Sequence, residues 1–334
     1  MELAEELKLE NQTMVTGFIL MGFSHLAKLQ LLLFVVVLLM FLSALTGNSL
    51  IVIITTTDPA LHTPMYYLLK NLALSEICFT LDIVPKMLMN LLVERKVTSF
   101  YGCALQLHLV IHLITSECLL LGIMAYDRYV AICHPLRYAT VMNKRVCLQM
   151  VIACWLSGIP VAIVLAVWLF SFSFCGSTEI NHFFCDIAPV LELVCSGTSF
   201  FELLVFVATV AIMLFPFILI SVSYICIIHT ILQMPSAESR HRAFSICTAH
   251  LVVVTLFYCT TCLIHLKPKS SLSPNSKKLV SLSYTVATPM LNPIIYSLRN
   301  KEVKESLKRS FGRISSQMIS LPRCVFCFLL HVFV

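Results

Sequence analysis

Charge is what this chain has least of. Of 334 residues, 12% are charged and 59% hydrophobic, a balance that excludes a soluble globular domain of this length and points to an integral membrane protein. Residues 1–28 carry acids at Glu2, Glu5, Glu6 and Glu10 but no basic stretch followed by a long apolar one, so a cleaved signal peptide is not expected. No nucleophile, base and orienting acid fall in one compartment, which argues against an enzyme. There is no internal repeat of the kind that builds secondary transporters and no polar track of the kind that lines a channel.

What is present is long apolar runs. A hydrocarbon core of about 30 Å takes roughly 20 apolar residues per helix, and seven runs qualify: 29–54, 64–92, 103–133, 146–170, 201–232, 243–266 and 278–298. The expected fold is an all-α membrane protein, a bundle of seven transmembrane helices, with 1–28 as an extracellular N-terminus, 29–298 as the membrane domain and 299–334 as a cytoplasmic tail. With the N-terminus outside, thirteen basic residues near the span ends fall on the cytoplasmic side against eight opposite, and basic residues favour the cytoplasm. The sequon at Asn11 agrees, because glycosylation requires a lumenal segment. The net charge of +6 lies largely in the tail and reads as topology and attraction to membrane lipid, not nucleic-acid binding.

Of the 15 cysteines, most lie inside apolar runs and act as small hydrophobes. Cys103, Cys175, Cys185 and Cys195 fall on the oxidising side, at the start of span three and in the loop 171–199. Two disulfides are expected, in any of three pairings. In the tail, Val303, Leu307 and Phe311 recur at helical spacing among lysines and arginines, which predicts a short amphipathic helix lying on the inner membrane surface. Pro85 is expected to kink span two or mark its exit.

Five stretches carry a resemblance: "LHTPMYYLLKNLALSEICF" from Leu61, "MAYDRYVAICHPLRY" from Met124, "SYICII" from Ser223, "AFSICTAHLVVVTLFY" from Ala243 and "PMLNPIIYSLRNKEVK" from Pro289. In this order they resemble a rhodopsin-like G-protein-coupled receptor and, within that superfamily, an odorant (olfactory) receptor of the branch found mainly in land vertebrates. The resemblance covers roughly residues 11–313 and includes Phe257-Tyr258 where many other rhodopsin-like receptors carry Trp-x-Pro.

It implies a small volatile odorant as ligand, a heterotrimeric G protein of the stimulatory (olfactory) type as partner, a cyclic-AMP output and a plasma-membrane location. The alternative is a rhodopsin-like receptor for a non-odorant small ligand outside the nose. It also implies the pairings Cys103–Cys185 and Cys175–Cys195. The activation switch it implies comprises Asp127, Arg128, Tyr129, Tyr224, Asn292, Pro293 and Tyr296, with Arg128 held by Asp127 at rest and then received or steered by Tyr224 and Tyr296. No acid stands in "SRHR", at the inner end of span six, to hold Arg128 from across the bundle.

Arg128 lies eleven residues after Glu117, on the same helix face and about 16 Å lower. Glu76 reaches a similar depth to Glu117. The two acids are a candidate site for a shared proton or for a sodium ion with Asn48 and Asn292; plain polar packing is the other reading. The resemblance puts aspartate at Glu76, so its ion geometry does not carry over unchanged. Asp82 and Lys86 are spaced for an intrahelical ion pair. His108 and His112 are spaced for two metal ligands, but no third is evident; packing is expected and no metal site is predicted.

The pocket implied for the ligand is lined by Leu107, Val110, Ile111, Ile114 and Thr115 in span three, Ala208 and Ile212 in span five, Tyr258, Thr261, Cys262 and His265 in span six and Thr285 in span seven. With no evident lysine or arginine among them, a small, mostly hydrophobic, neutral ligand is expected. No cofactor is expected beyond the candidate sodium ion. Cys324 and Cys327 in the tail are candidate palmitoylation sites.

Overall fold

The computed structural model describes residues 16–23, 28–93, 96–175, 177–265, 274–299 and 302–309; within these, the side chains at 242, 245, 246, 264, 265, 274, 275 and 297–299 are not described. Asn11, Phe311, Cys324, Cys327 and the His265 side chain therefore lie outside the described set.

Pro64, Ser99 and Asn143 are local signals in the sequence at which helices begin. Helices α1 (Gln30–Thr57) and α2 (Pro64–Leu92) are separated by a turn in which Asp58 accepts from the Ala60 N–H at 3.1 Å and Pro64 opens α2. Helix α3 (Phe100–Cys133) is capped by the Ser99 hydroxyl, which accepts from Gly102 N–H. Helix α4 (Lys144–Ser171) is capped by the Asn143 side chain on Val146 N–H. Helix α5 (Ser199–Leu232) is followed after a four-residue link by α6 (Ala237–His265).

Helix α7 runs Pro274–Leu282, widens into a π turn at Ser283–Ala287 and continues as Thr288–Arg299. Residues 302–309 form a last helix, α8. Pro85 lies inside α2 and does not mark its exit, since the helix runs on to Leu92.

By length and composition α1, α3, α4 and α5 are apolar enough to cross a membrane. In α2 the apolar run is broken by Lys70, Glu76, Asp82 and Lys86. Helix α3 is the centre of the bundle, packed on α2, α4 and α5. The approach to α4 is close because of Gly158, where a Cβ would stand 2.7 Å from the His112 carbonyl oxygen.

Hydroxyls within the helices turn back on their own backbone: Thr55 on Ile51 O, Thr80 on Glu76 O and Ser116 on His112 O. That is how a polar side chain is satisfied where water is scarce.

One end of the bundle, here called the upper end, carries a three-stranded sheet. Its strands are β1 (Gly17–Leu20), β2 (Val97–Ser99) and β3 (Glu179–Ile180), with β1 central, antiparallel to β2 and parallel to β3. Disulfides join Cys103 to Cys185 and Cys175 to Cys195, so the 171–199 loop is fixed to α3 and folded on itself. These are the pairings that the resemblance implied, one of the three open to the sequence.

At the lower end, α8 lays Val303 and Leu307, 0% and 2% exposed, into the core formed by α1, α2 and their neighbours. Val303 and Leu307 of the expected apolar face thus pack on the bundle, and Phe311, its third residue, lies outside the described residues. Arg309 reaches Asp58 at 2.7 Å, and the Tyr66 hydroxyl donates to Glu302 at 2.6 Å. The Ser306 hydroxyl and the Arg309 guanidinium hold the Asp58 carboxyl down at about 2.

Candidate ligand-binding site

Between the upper ends of α3, α5, α6 and α7 and the 171–199 loop lies a cavity of about 550 Å³. Its apolar wall comes from Val110, Ile111 and Ile114 of α3, Leu165 of α4, Ala208, Ile212 and Met213 of α5 and Leu263 of α6, with Thr115 and Thr209 as hydroxyls. Six expected positions, Val110, Ile111, Ile114, Thr115, Ala208 and Ile212, are brought together there.

Five others are not on its wall. Leu107 is buried in the cluster around the Cys103–Cys185 bond. Tyr258 packs its ring on Phe217 and Phe257. The Thr261 hydroxyl is tied to Phe257 O at 2.6 Å, and that of Thr285 to Ser281 O at 2.8 Å in the π turn. Cys262 is half-buried away from the wall.

The cavity also holds charge that helical spacing within the spans did not reveal. Asp186, Glu192 and Glu202 line it, as does Lys277, which corrects the expectation of a pocket without a basic residue. Loop residues Asn181 and His182 complete it with Ser281. Asn181, His182, Asp186 and Glu192 come from the disulfide-held loop, where no periodicity pointed to them, while Glu202 and Lys277 stand in the first turns of α5 and α7.

Further down α3, the Asn292 amide donates to the Glu76 carboxylate in a short hydrogen bond. Asn48 donates to Ala44 O and Pro289 O, tying α1 to α7. Glu117 stands within electrostatic reach of Glu76, and among the described residues the buried atoms Glu76 Oε2, Glu117 Oε1, Ser75 Oγ and Asn292 Oδ1 find no hydrogen-bond partner. Such orphaned oxygens fit a small hard cation, which takes oxygen ligands. The other charged reading is not met: Lys86 donates to Val97 O at 2.7 Å, and among the described residues Asp82 Oδ2 finds no hydrogen-bond partner and the intrahelical pair is not made. The reason is reach, since Lys86 lies beside the end of β2 and its ammonium finds a carbonyl there. His108 and His112 stack at 6.3 Å, and among the described residues no group of three ligating side chains forms.

At the lower end the switch residues are differently partnered from the expectation. Asp127 is 1% exposed and accepts from the Tyr138 hydroxyl at 2.8 Å; among the described residues it makes no ion pair with Arg128. Tyr138 follows the Pro135–Arg137 turn after α3, which swings its ring under the helix. Burial and the neighbouring Asp127 push the Tyr138 hydroxyl up, so it remains a donor. Tyr129 meets His134 at 3.0 Å. Tyr224 meets His250 Nδ1 at 2.7 Å, joining α5 to α6, while the Tyr296 hydroxyl, past Pro293 on α7, finds no hydrogen-bond partner among the described residues. His250 and Tyr138 are site residues that motif reading missed, although both lie inside the quoted stretches.

A bundle of long apolar helices with a disulfide-held loop over a cavity is the layout of a multi-pass membrane receptor. A sequence model of the olfactory receptor family matches residues 37–313. The chain is 53% identical over 301 residues to human olfactory receptor 10A7, covering 90% of this chain and 95% of that relative. It is 51% identical over 316 residues to human olfactory receptor 10A5 (94% and 98%) and 54% identical over 305 residues to human olfactory receptor 10A4 (91% and 97%). The chain belongs to the olfactory receptor family. It is a multi-pass plasma-membrane protein, a G-protein-coupled receptor and not an enzyme, with an odorant as ligand and a G protein as partner.

Proposed function

We propose that this receptor binds a small, mostly hydrophobic odorant in the cavity between α3, α5 and the 171–199 loop and signals through a stimulatory, olfactory-type G protein to raise cyclic AMP. The observation that carries the reading is the cavity itself: about 550 Å³, apolar on its α3 and α5 walls and polar at the loop, which suits an amphiphilic small molecule. The ligand is uncharged or carries one polar group toward the loop, where Asn181, Ser281 and the charged residues stand.

All of α1 to α7 cross the bilayer, with the upper end extracellular and α8 cytoplasmic. The excess of basic residues on the tail side and the sequon at Asn11 support this orientation. Arg128, with no acid in "SRHR" to hold it and, among the described residues, no ion pair to Asp127, is the group offered to the G protein. Glu76, Glu117, Ser75 and Asn292 would hold a sodium ion, supplying charge balance for the two carboxylates.

The test is a cyclic-AMP response of cells expressing the receptor to a panel of volatiles. A response that Ile111→Trp abolishes by filling the cavity, and that Arg128→Ala abolishes with surface expression retained, supports the reading. A response indifferent to Ile111→Trp places the ligand elsewhere.

A further inference from the structure

The cavity is roofed by one connected piece of backbone. Ile19 N–H donates to Thr178 O, Met21 N–H to Ile180 O and Gly22 N–H to His182 O, each within 3.0 Å, so residues 17–23 and 178–184 form a single lid. Phe23 stacks on Phe183 to continue it. Asn181 and His182 of this lid face the cavity.

The lid is anchored on two sides by different chemistry. Toward α3 it is held covalently by Cys103–Cys185, and the Cys185 N–H donates to Gln106 Oε1 at 2.9 Å. Toward α7 there is no covalent tie among the described residues: Phe23 and Phe183 share an apolar cluster with Tyr284 and Val286, and the polar grip is made of hydrogen bonds. Lys278, 3% exposed, donates from Nζ to Gly22 O at 2.6 Å and to Asn181 Oδ1 at 2.7 Å, and His182 Nε2 meets Ser281 Oγ at 3.2 Å.

Gly22 presents that carbonyl from a left-handed turn, φ +47°, which a residue with a Cβ rarely adopts. Among the described residues Lys278 has no carboxylate within ion-pair distance. Its charge is satisfied by two neutral oxygens, one from each half of the lid. Charge-assisted hydrogen bonds of this kind are strong, yet unlike a disulfide they open and reclose.

We propose that Lys278 is the reversible latch of the lid: a positioning residue that closes the α7 side of the cavity by gripping both lid segments at once, so that ligand enters where this grip opens. The inference rests on the reading of the cavity as the ligand site. Four turns below the latch, the same helix carries Asn292, and the π turn at Ser283–Ala287 lies between them. A π turn in mid-helix marks a place where a helix can readjust.

The experiment measures access directly and needs no known odorant. Thr115→Cys places a thiol on the cavity wall of the full-length receptor in intact cells. The probe is the membrane-impermeant cationic thiol reagent methanethiosulfonate ethyltrimethylammonium, and the readout is its rate of modification above that of the receptor without the added cysteine. Lys278→Met is expected to raise the rate at residue 115 by about tenfold, the signature of a weakened local closure. Asn181→Ala, on an exposed residue, removes one of the two grips, raises the rate less, and adds nothing in the double variant because both act on one latch.

Unchanged rates in both variants at equal surface expression overturn the proposal. So does a parallel rise at the native Cys154, buried between α3 and α4, which marks general loosening in place of lid opening. If Lys278→Met does not reach the surface, Asn181→Ala and Ser281→Ala carry the same comparison. Failure of the ligand reading is separate: it appears as a panel response indifferent to Ile111→Trp while the access rates still follow the latch.

Discussion

His182 shows how one side chain ties lid stability to solution conditions. It is 5% exposed, stacked on Phe183 and edge-on to Phe184, and burial pushes its imidazole down to about 4, with Lys278 lowering it further and Asp186 opposing. The sign follows from proton counting. Above the ordinary value of 6.5 the ring is neutral in both the folded and the unfolded chain, and its contribution is fully present. As pH falls from 6.5 toward about 4 the unfolded ring takes a proton that the buried ring refuses, and stability is lost. Melting of the purified receptor is therefore expected to drop across this window, and His182→Gln is expected to flatten that part of the profile. A profile identical in the variant sinks the assignment. Motif reading passed over His182 because a single histidine in a loop has no periodicity to mark it.

Among the elements, α8 separates packing from charge. Leu307 is 2% exposed inside the core, while the Arg309–Asp58 pair sits at the surface with Arg309 about half exposed. Leu307→Ala is expected to lower stability by about 2–5 kcal/mol, the range for emptying a buried aliphatic site. Asp58→Asn is expected to lower it by less than about 1 kcal/mol, because exposed ion pairs gain little over water. Thermal unfolding of the two variants in the same detergent checks the order; an Asp58→Asn effect larger than that of Leu307→Ala would show that the clasp and not the apolar face docks α8. The spacing of Val303 and Leu307 foretold a helix with an apolar side. What that side meets was not legible, because lipid and a protein core are equally apolar partners.

At the scale of the whole molecule, the two disulfides close loops of unequal length, spanning 82 residues for Cys103–Cys185 and 20 for Cys175–Cys195. Loop-closure entropy makes the longer link the more stabilising by about 1 kcal/mol. Cys185→Ser is therefore expected to reduce melting temperature and surface expression more than Cys175→Ser. Equal losses would mean that the loop's own fold, and not its tie to α3, holds the upper end. Along the whole chain, the apolar runs, the helix start at Pro64, the cysteines able to pair and the family were all determined by the sequence, since each is a local property of residue type and spacing.

Only the tertiary structure decided which side chains meet: Tyr138 on Asp127 in place of Arg128, Lys86 on Val97 in place of Asp82, Tyr258 and Thr261 away from the cavity, and loop acids with Lys277 on it. The physical reason lies in helix rotation. Each residue turns a helix by about 100°, and in a membrane protein the face toward lipid is as apolar as the face toward the core. On α5, Phe206, Phe215 and Ile225 are exposed while Met213, Ile220 and Ile227 are buried. Hydrophobic pattern alone therefore cannot set the rotation that brings one side chain to another.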